Sequence, residues 1–470
     1  MQNLRPNLQP NTSRDSIYVR PFHQLLQLQQ NDDLREFQIV PEEHYLKRSL
    51  TETTTNTLFM VYMAADNNLH YFAWNNIKQL ATIGSNANIT IVVQLNEPGN
   101  NKKTQRYLIE KNKAILLNQD QVASGKKFNT GDPKTLIDFC TSTIKRFPTK
   151  YTTLVLWDHG TGYLDPLKVK TANIHELFEL NPADMMLELN RNYEFMERID
   201  SDGAYKGICF DETYHSYLSN QKLDYALKTI CQETNRKIDI IGLDACMMQM
   251  LEVGELLQPY AHYMVGSQEV ELGAGWNYKH ILKPFEDQAL APDALAKQIV
   301  QCYQQTYGRI THDFTLSAAD LSYLPALVQN INTVGSLLLE CLKNQKDRAV
   351  KNTILQCRAK KNCTCFDEPS YIDLGHFYLN LQANLDKLKI NNTQTITALK
   401  NALTNGLNIL STMIIANVSG KNLKKALGLS IYLPEKRIHS SYPNTPFASK
   451  NTWAHLVQEF ILRGDELIIS

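Results

Sequence analysis

The run Ile238-Asp-Ile-Ile-Gly-Leu243, five of whose six residues are apolar or glycine, leads straight into Asp244-Ala-Cys246. A strand of that composition has no polar face, which marks burial on both sides and pairing inside a parallel, helix-covered sheet. Beyond it Met247, Met250, Leu251, Gly254 and Leu257 recur at helical spacing before Pro259, so a helix is predicted from Cys246 to Leu257. Cys246 would then stand where a strand hands over to a helix, the edge at which ligand sites gather in open α/β sheets. A helix N-terminus would also favour its thiolate. Cysteine is so often simply buried that an inert core thiol is the alternative until a chemical partner is found.

The same pattern recurs along the chain. Leu58–Ala64, Ile89–Leu95, Thr152–Trp157, the short Gly207–Phe210 and Tyr263–Gly266 read as strands. Between them lie helical patterns. One carries Leu69, Phe72, Ala73, Ile77 and Leu80 behind a cap from Asp66-Asn67-Asn68, one follows Asp132-Pro133, and one spans 220–233. Gln105 to Leu117 reads as an edge hairpin. Strand and helix alternating in this way predict an α/β fold, a mostly parallel central sheet flanked by helices. Residues 1–56 form a polar N-terminal extension, and 57–310 form the sheet-bearing unit. Within that unit 163–206 loses its periodicity and reads as a linker or insertion. Residues 311–470 form a smaller, mainly helical C-terminal unit, interrupted by strand-like Phe314–Ser317 and Gly428–Leu433.

Composition removes several functions. The 48 basic and 48 acidic side chains cancel, so charge gives no reason to expect nucleic acid or a membrane surface as partner. Nine scattered cysteines, an odd number, read as free thiols of a reducing compartment. No stretch is long enough to span a membrane, and the N-terminus lacks the apolar core of a secretory leader. The expectation is therefore cytoplasmic residence or export by a non-classical route. Cys357, Cys363 and Cys365 lack the paired spacing of a zinc site, and Asp200-x-Asp202-Gly203 lacks the distal glutamate of a calcium loop, so no metal site is predicted.

A partner for the thiol does exist. The strand ending at Trp157 runs into Asp158-His159-Gly160, and Cys246 follows His159 by 87 residues. Parallel strands put both ends on one edge, so imidazole and thiol can face each other as base and nucleophile. Gly160 permits an unusual backbone turn with an accessible N–H, and the N–H groups of Gly160 and Cys246 could hold an oxyanion.

An apolar strand closing in His-Gly, then another closing in Ala-Cys, resembles the caspase-like cysteine peptidases, and the clostripain family most closely. Met60-Val-Tyr-Met-Ala-Ala-Asp-Asn-Asn-Leu69, Leu156-Trp-Asp-His-Gly-Thr-Gly162, Gly242-Leu-Asp-Ala-Cys246, Gly266-Ser-Gln-Glu269 with Gly275-Trp276, and Gly428-Leu-Ser-Ile-Tyr432 are similar to that family's blocks in order. The resemblance spans about 57–460 and implies a caspase-like sheet and endopeptidase activity on a protein or peptide substrate. It also implies a catalytic His159–Cys246 dyad and an acidic pocket residue at Asp244 that attracts Arg or Lys in P1. A monomer is expected. Trp276 would shape a substrate wall or simply pack. One departure stands out, because the position of a second pocket acid, between Gly273 and Gly275, is Ala274. No cofactor is expected to be required, and the resemblance alone leaves room for calcium. Self-cleavage after a basic residue of 163–206 is a further implication, with Lys168, Lys170, Arg191, Arg198 and Lys206 as candidates and Lys170 favoured for its lack of acidic neighbours. Two rivals keep the same residues: a transpeptidase or ligase working through the dyad, and a non-catalytic interaction protein of the same fold.

Overall fold

The computed structural model describes residues 37–44, 55–117, 125–164, 177–191, 207–344, 349–390 and 392–465. Its strands in chain order begin with β1 (Gln38–Pro41), β2 (Thr57–Ala64), β3 (Ile89–Asn96), β4 (Gln105–Glu110), β5 (Lys113–Leu116) and β6 (Tyr151–Trp157). Then come β7 (Phe178–Asn181), β8 (Met186–Leu189), β9 (Ile208–Asp211), β10 (Ser216–Leu218), β11 (Ile238–Asp244) and β12 (Ala261–Gly266). The last are β13 (Thr315–Asp320), β14 (Tyr371–Asp373), β15 (Ile414–Ser419) and β16 (Ser430–Tyr432).

Ten of these form one sheet in the order β1-β5-β4-β3-β2-β6-β11-β12-β13-β15. Its centre, β3-β2-β6-β11-β12, is parallel throughout. β2 and β3 are buried at every residue, as continuous apolar runs require. The predicted α/β class and its mostly parallel sheet are therefore present. From β2 the chain moves one way to β3, then from β6 through β11 to β12 it moves the other way. Right-handed crossovers then place the helix His70–Ile83 on one face. Helices Pro133–Arg146, Asn220–Thr234 and Leu251–Leu257 lie on the opposite face. Asp132 caps the second of these four helices through Lys134 N–H, with proline at its first turn, as the sequence predicts. The reversal lies between β2 and β6, and a crevice opens beyond the strand ends at such a point.

Several elements differ from expectation. The hairpin β4–β5 forms, but β1 from the N-terminal extension pairs with β5 and takes the edge. The sheet continues across residue 310, because β13 pairs antiparallel with β12 and β15 with β13. Helix Leu324–Asn344 packs against helices Thr393–Met413 and Thr452–Asp465. In 163–206, read as aperiodic, the described stretch 177–191 contains the hairpin β7–β8. Strands of four residues are too short to show a period against their polar turn. No described helix is long and apolar enough to cross a membrane.

Candidate active site

Trp157 of β6 and Asp244 of β11 are register partners. Two residues beyond each partner stand His159 and Cys246, and both line a single cavity. The cavity draws on the ends of four adjacent parallel strands: Leu69 after β2, Trp157 to His159 at β6, Asp244 to Cys246 at β11, and Glu271 to Gly273 with Gly275 after β12. Its free volume is about 30 Å³, room for a water or two and not for a lysine or arginine side chain.

The ends of β2 and β6 are locked together. Asp158 is buried and accepts from Asn67 Nδ2 at 2.6 Å and from the Phe210 N–H of β9. Asn68 Oδ1 lies 2.7 Å from His159 Nε2, so that nitrogen carries the proton and Nδ1 is the basic one. Burial lowers the imidazole to about 4, leaving it neutral at ordinary pH. The Asp66-Asn67-Asn68 stretch was expected to cap the following helix. That helix starts at His70 without a side-chain cap, and the asparagines serve the strand ends instead.

Gly160 is required for a different reason from the one anticipated. Its φ is not positive; a Cβ there would fall 2.6 Å from the Cys246 carbonyl oxygen and 2.8 Å from Met248 Cγ. Glycine allows this peptide to lie against the nucleophile loop. The left-handed glycine is Gly162, at φ 68°.

The helix predicted from Cys246 begins at Leu251, so no helix terminus acts on the thiol. Residues 245–250 form a turn in which Met247 adopts φ 57°. Neighbouring loops take its peptide groups: Met247 N–H donates to Glu269 O at 3.1 Å, Gln249 N–H to Ser267 O at 2.8 Å, and Gln249 O accepts from Ser430 N–H at 3.1 Å. These tertiary bonds outweigh the helical spacing of the apolar residues. The thiol is buried, accepts from Glu271 N–H at 3.2 Å, and faces the carboxyls of Glu271, Asp367 and Glu269. Burial first, and those carboxyls second, push it well above the ordinary thiol range. Thiol and imidazole are thus both neutral in this state.

Asp244 forms part of the cavity wall. Its Oδ2 accepts from Tyr278 OH at 2.6 Å and from Trp276 N–H at 3.2 Å, and burial raises the carboxyl to about 7. Trp276, expected as a wall of the site, does not line the cavity. Its ring is buried against Gly242, where a Cβ would lie 2.9 Å from Cη2, and it serves the site through its backbone N–H. Glu271 lines the cavity beside Asp244, whereas Glu269 is a structural tie that accepts from Val270 N–H and Asp367 N–H. Asn68 was not singled out as a site residue from sequence, and the sequence puts Glu271, like Glu269, near the pocket residues without placing it in the pocket. The available hint for Asn68 was a polar pair directly after a buried strand, and for Glu271 a glutamate just before a glycine-rich turn.

The cavity is also lined by Leu177, buried just ahead of β7. The hairpin behind it is docked by Leu187, which bonds Ile310 O and His312 N–H through its backbone, and by Arg191, which bridges Glu269 at 3.0 Å and Asp313 at 2.9 Å. Of the predicted cleavage positions Arg191 is thus engaged in ion pairs, while Lys168, Lys170, Arg198 and Lys206 lie outside the described residues. Among the described residues no group of three His, Cys, Asp or Glu side chains could hold a metal, and Asp200 and Asp202 also lie outside them.

The family model of the clostripain family matches residues 61–175 and 196–460. No curated protein matches the sequence significantly. Among solved structures, a secreted cysteine protease from Bacteroides thetaiotaomicron in complex with an irreversible peptide inhibitor aligns with a TM-score of 0.54 and 19% identity, over 85% of this chain and 99% of that one. An inactive zymogen protease from Parabacteroides distasonis aligns with a TM-score of 0.54 and 17% identity, over 86% of this chain and 99% of that one. At such identities these two likenesses speak to the fold.

Proposed function

The chain belongs to the clostripain family of cysteine peptidases, and we propose that it cuts peptide bonds after Arg or Lys through Cys246 and His159. The observation that carries this reading is the placement of both residues two positions past a register pair, on one cavity with Asp244. Nδ1 of His159 takes the thiol proton, and the Cys246 thiolate adds to the scissile carbonyl. The N–H groups of Gly160 and Cys246 hold the resulting oxyanion. His159 then returns its proton to the leaving amine, and water, deprotonated by the same ring, releases the acid and restores the thiol. Asn68 keeps Nε2 protonated and the ring oriented throughout. Asp244 attracts the cationic P1 side chain.

The described cavity, with about 30 Å³ of free volume and Leu177 in its wall, has no room for a P1 side chain. Self-cleavage between Leu164 and Leu177, with Lys170 as the favoured position, would cut the connection on the N-terminal side of Leu177 and let it withdraw. The test is a mixed peptide library digested by wild type and by Cys246→Ala, together with the intact mass of each purified chain. Wild-type-only cuts after Arg or Lys are expected, with a mass break in 163–206 that Cys246→Ala lacks. Cuts shared by both chains would remove Cys246 from the reaction, and wild-type cuts after other residues would remove the basic preference.

A further inference from the structure

The family's second pocket acid is replaced here by Ala274, yet the cavity still holds two carboxyls. Glu271 reaches it from the loop after β12 and is fully buried there with Asp244. Neither Glu271 oxygen makes a well-formed hydrogen bond, and no ion pair reaches either acid among the described residues. The groups facing Glu271 are the Asp244 carboxyl and the Trp276 indole, with the hydroxyls of Tyr278, Tyr303 and Tyr307 close enough to feel its charge. All are neutral or acidic. Burying an ionised carboxyl without a cation is costly, and protonation avoids that cost until a cation arrives.

We propose that Glu271 is the second specificity acid of the P1 pocket, supplying from three residues upstream the charge that Ala274 lacks. The inference rests on the peptidase reading above and adds one residue to it. Burial and the neighbouring Asp244 both push Glu271 upward, so the empty pocket keeps its acids protonated and an entering guanidinium or ammonium displaces a proton. The same residue grips the nucleophile through its backbone, donating its N–H to Cys246 Sγ at 3.2 Å and offering its carbonyl to the thiol. The side chain can therefore be altered while the peptide that holds Cys246 stays in place.

The test compares Glu271→Gln and Glu271→Asp with wild type on matched peptides bearing Arg or Leu at P1. Glu271→Gln keeps the shape and removes the charge. It should lower kcat/KM for the Arg peptide by about 10- to 100-fold more than for the Leu peptide, mainly through KM. Glu271→Asp should recover part of the loss, and thermal unfolding of both variants should stay at the wild-type midpoint or above it. An unchanged Arg-to-Leu ratio in Glu271→Gln, with wild type still cutting after Arg, overturns this inference alone. Equal losses on both peptides would reduce Glu271 to a structural role and overturn it as well. Wild type cutting neither peptide overturns the underlying reading together with it.

Discussion

The strand ends and the hairpin Phe178–Leu189 meet at one cavity but are held by different forces. His159 and Cys246 follow strands whose residues are almost wholly buried, and their relative position is set by backbone register. A one-residue slip would turn every core side chain outward, so that placement is strongly specified. The hairpin is held by the buried Phe178, Leu187 and Leu189, a few backbone bonds and ion pairs of Arg191, which is more than a quarter exposed. Contacts of this second kind open at lower free energy than the core.

Variants sharpen this contrast, beginning with the strand ends. Asn68→Ala should cut kcat by about 100-fold with little change in KM, because a loosely held imidazole loses its near-attack geometry while the pocket is untouched. A matching rise in KM would make Asn68 a binding residue instead. Gly160→Ala should lower stability by about 1–3 kcal/mol in chemical denaturation and reduce turnover, since its methyl collides with the Cys246 carbonyl. Normal stability with normal turnover would show that this loop can yield. On the hairpin side, Leu177→Ala should speed alkylation of Cys246 by iodoacetamide about tenfold, equivalent to about 1.4 kcal/mol of lost closure. An unchanged rate would mean that the hairpin does not control access.

The smallest effect concerns pH. Asp244, held near 7 by burial and faced by Glu271, Tyr278, Tyr303 and Tyr307, is neutral below that pH. KM for peptides with Arg at P1 should therefore fall severalfold as pH rises through about 7, and peptides with Leu at P1 should lack this step. Stability runs the opposite way. Native Asp244 keeps a proton that the unfolded chain, with its ordinary value of 3.8, sheds first. This group's favourable contribution is thus complete below about 4 and is lost as pH climbs to about 7, and Asp244→Asn should remove that slope in urea titrations. His159, neutral above about 4, adds no step between pH 5 and 8.

What could be read from the residues follows the same division. Continuous apolar runs announced β2, β3, β6 and β11, and with parallel pairing they brought His159 and Cys246 to one edge. Asp132-Pro133 announced its helix for a local reason, the cap. The turn at 245–250 was illegible because its hydrogen bonds go to loops near 267–269 and 430. Asn68 and Glu271 were illegible for a related reason, since their partners lie on strands far away in sequence. Trp276 looked like a wall because aromatic side chains often are, whereas the bare Cα of Gly242 had made room for its ring. The hairpin β7–β8 is too short to carry a period.

The most direct measurement is the site of covalent capture. The chain carries nine cysteines, none of them in a disulfide. The purified chain would be treated with a peptide chloromethyl ketone bearing Arg next to the reactive carbon, and the adduct located by peptide mass spectrometry. A single adduct on Cys246, absent in His159→Ala and slowed by Glu271→Gln, is the predicted result. An adduct on any other cysteine, or equal labelling of Cys246 in His159→Ala, would contradict the account.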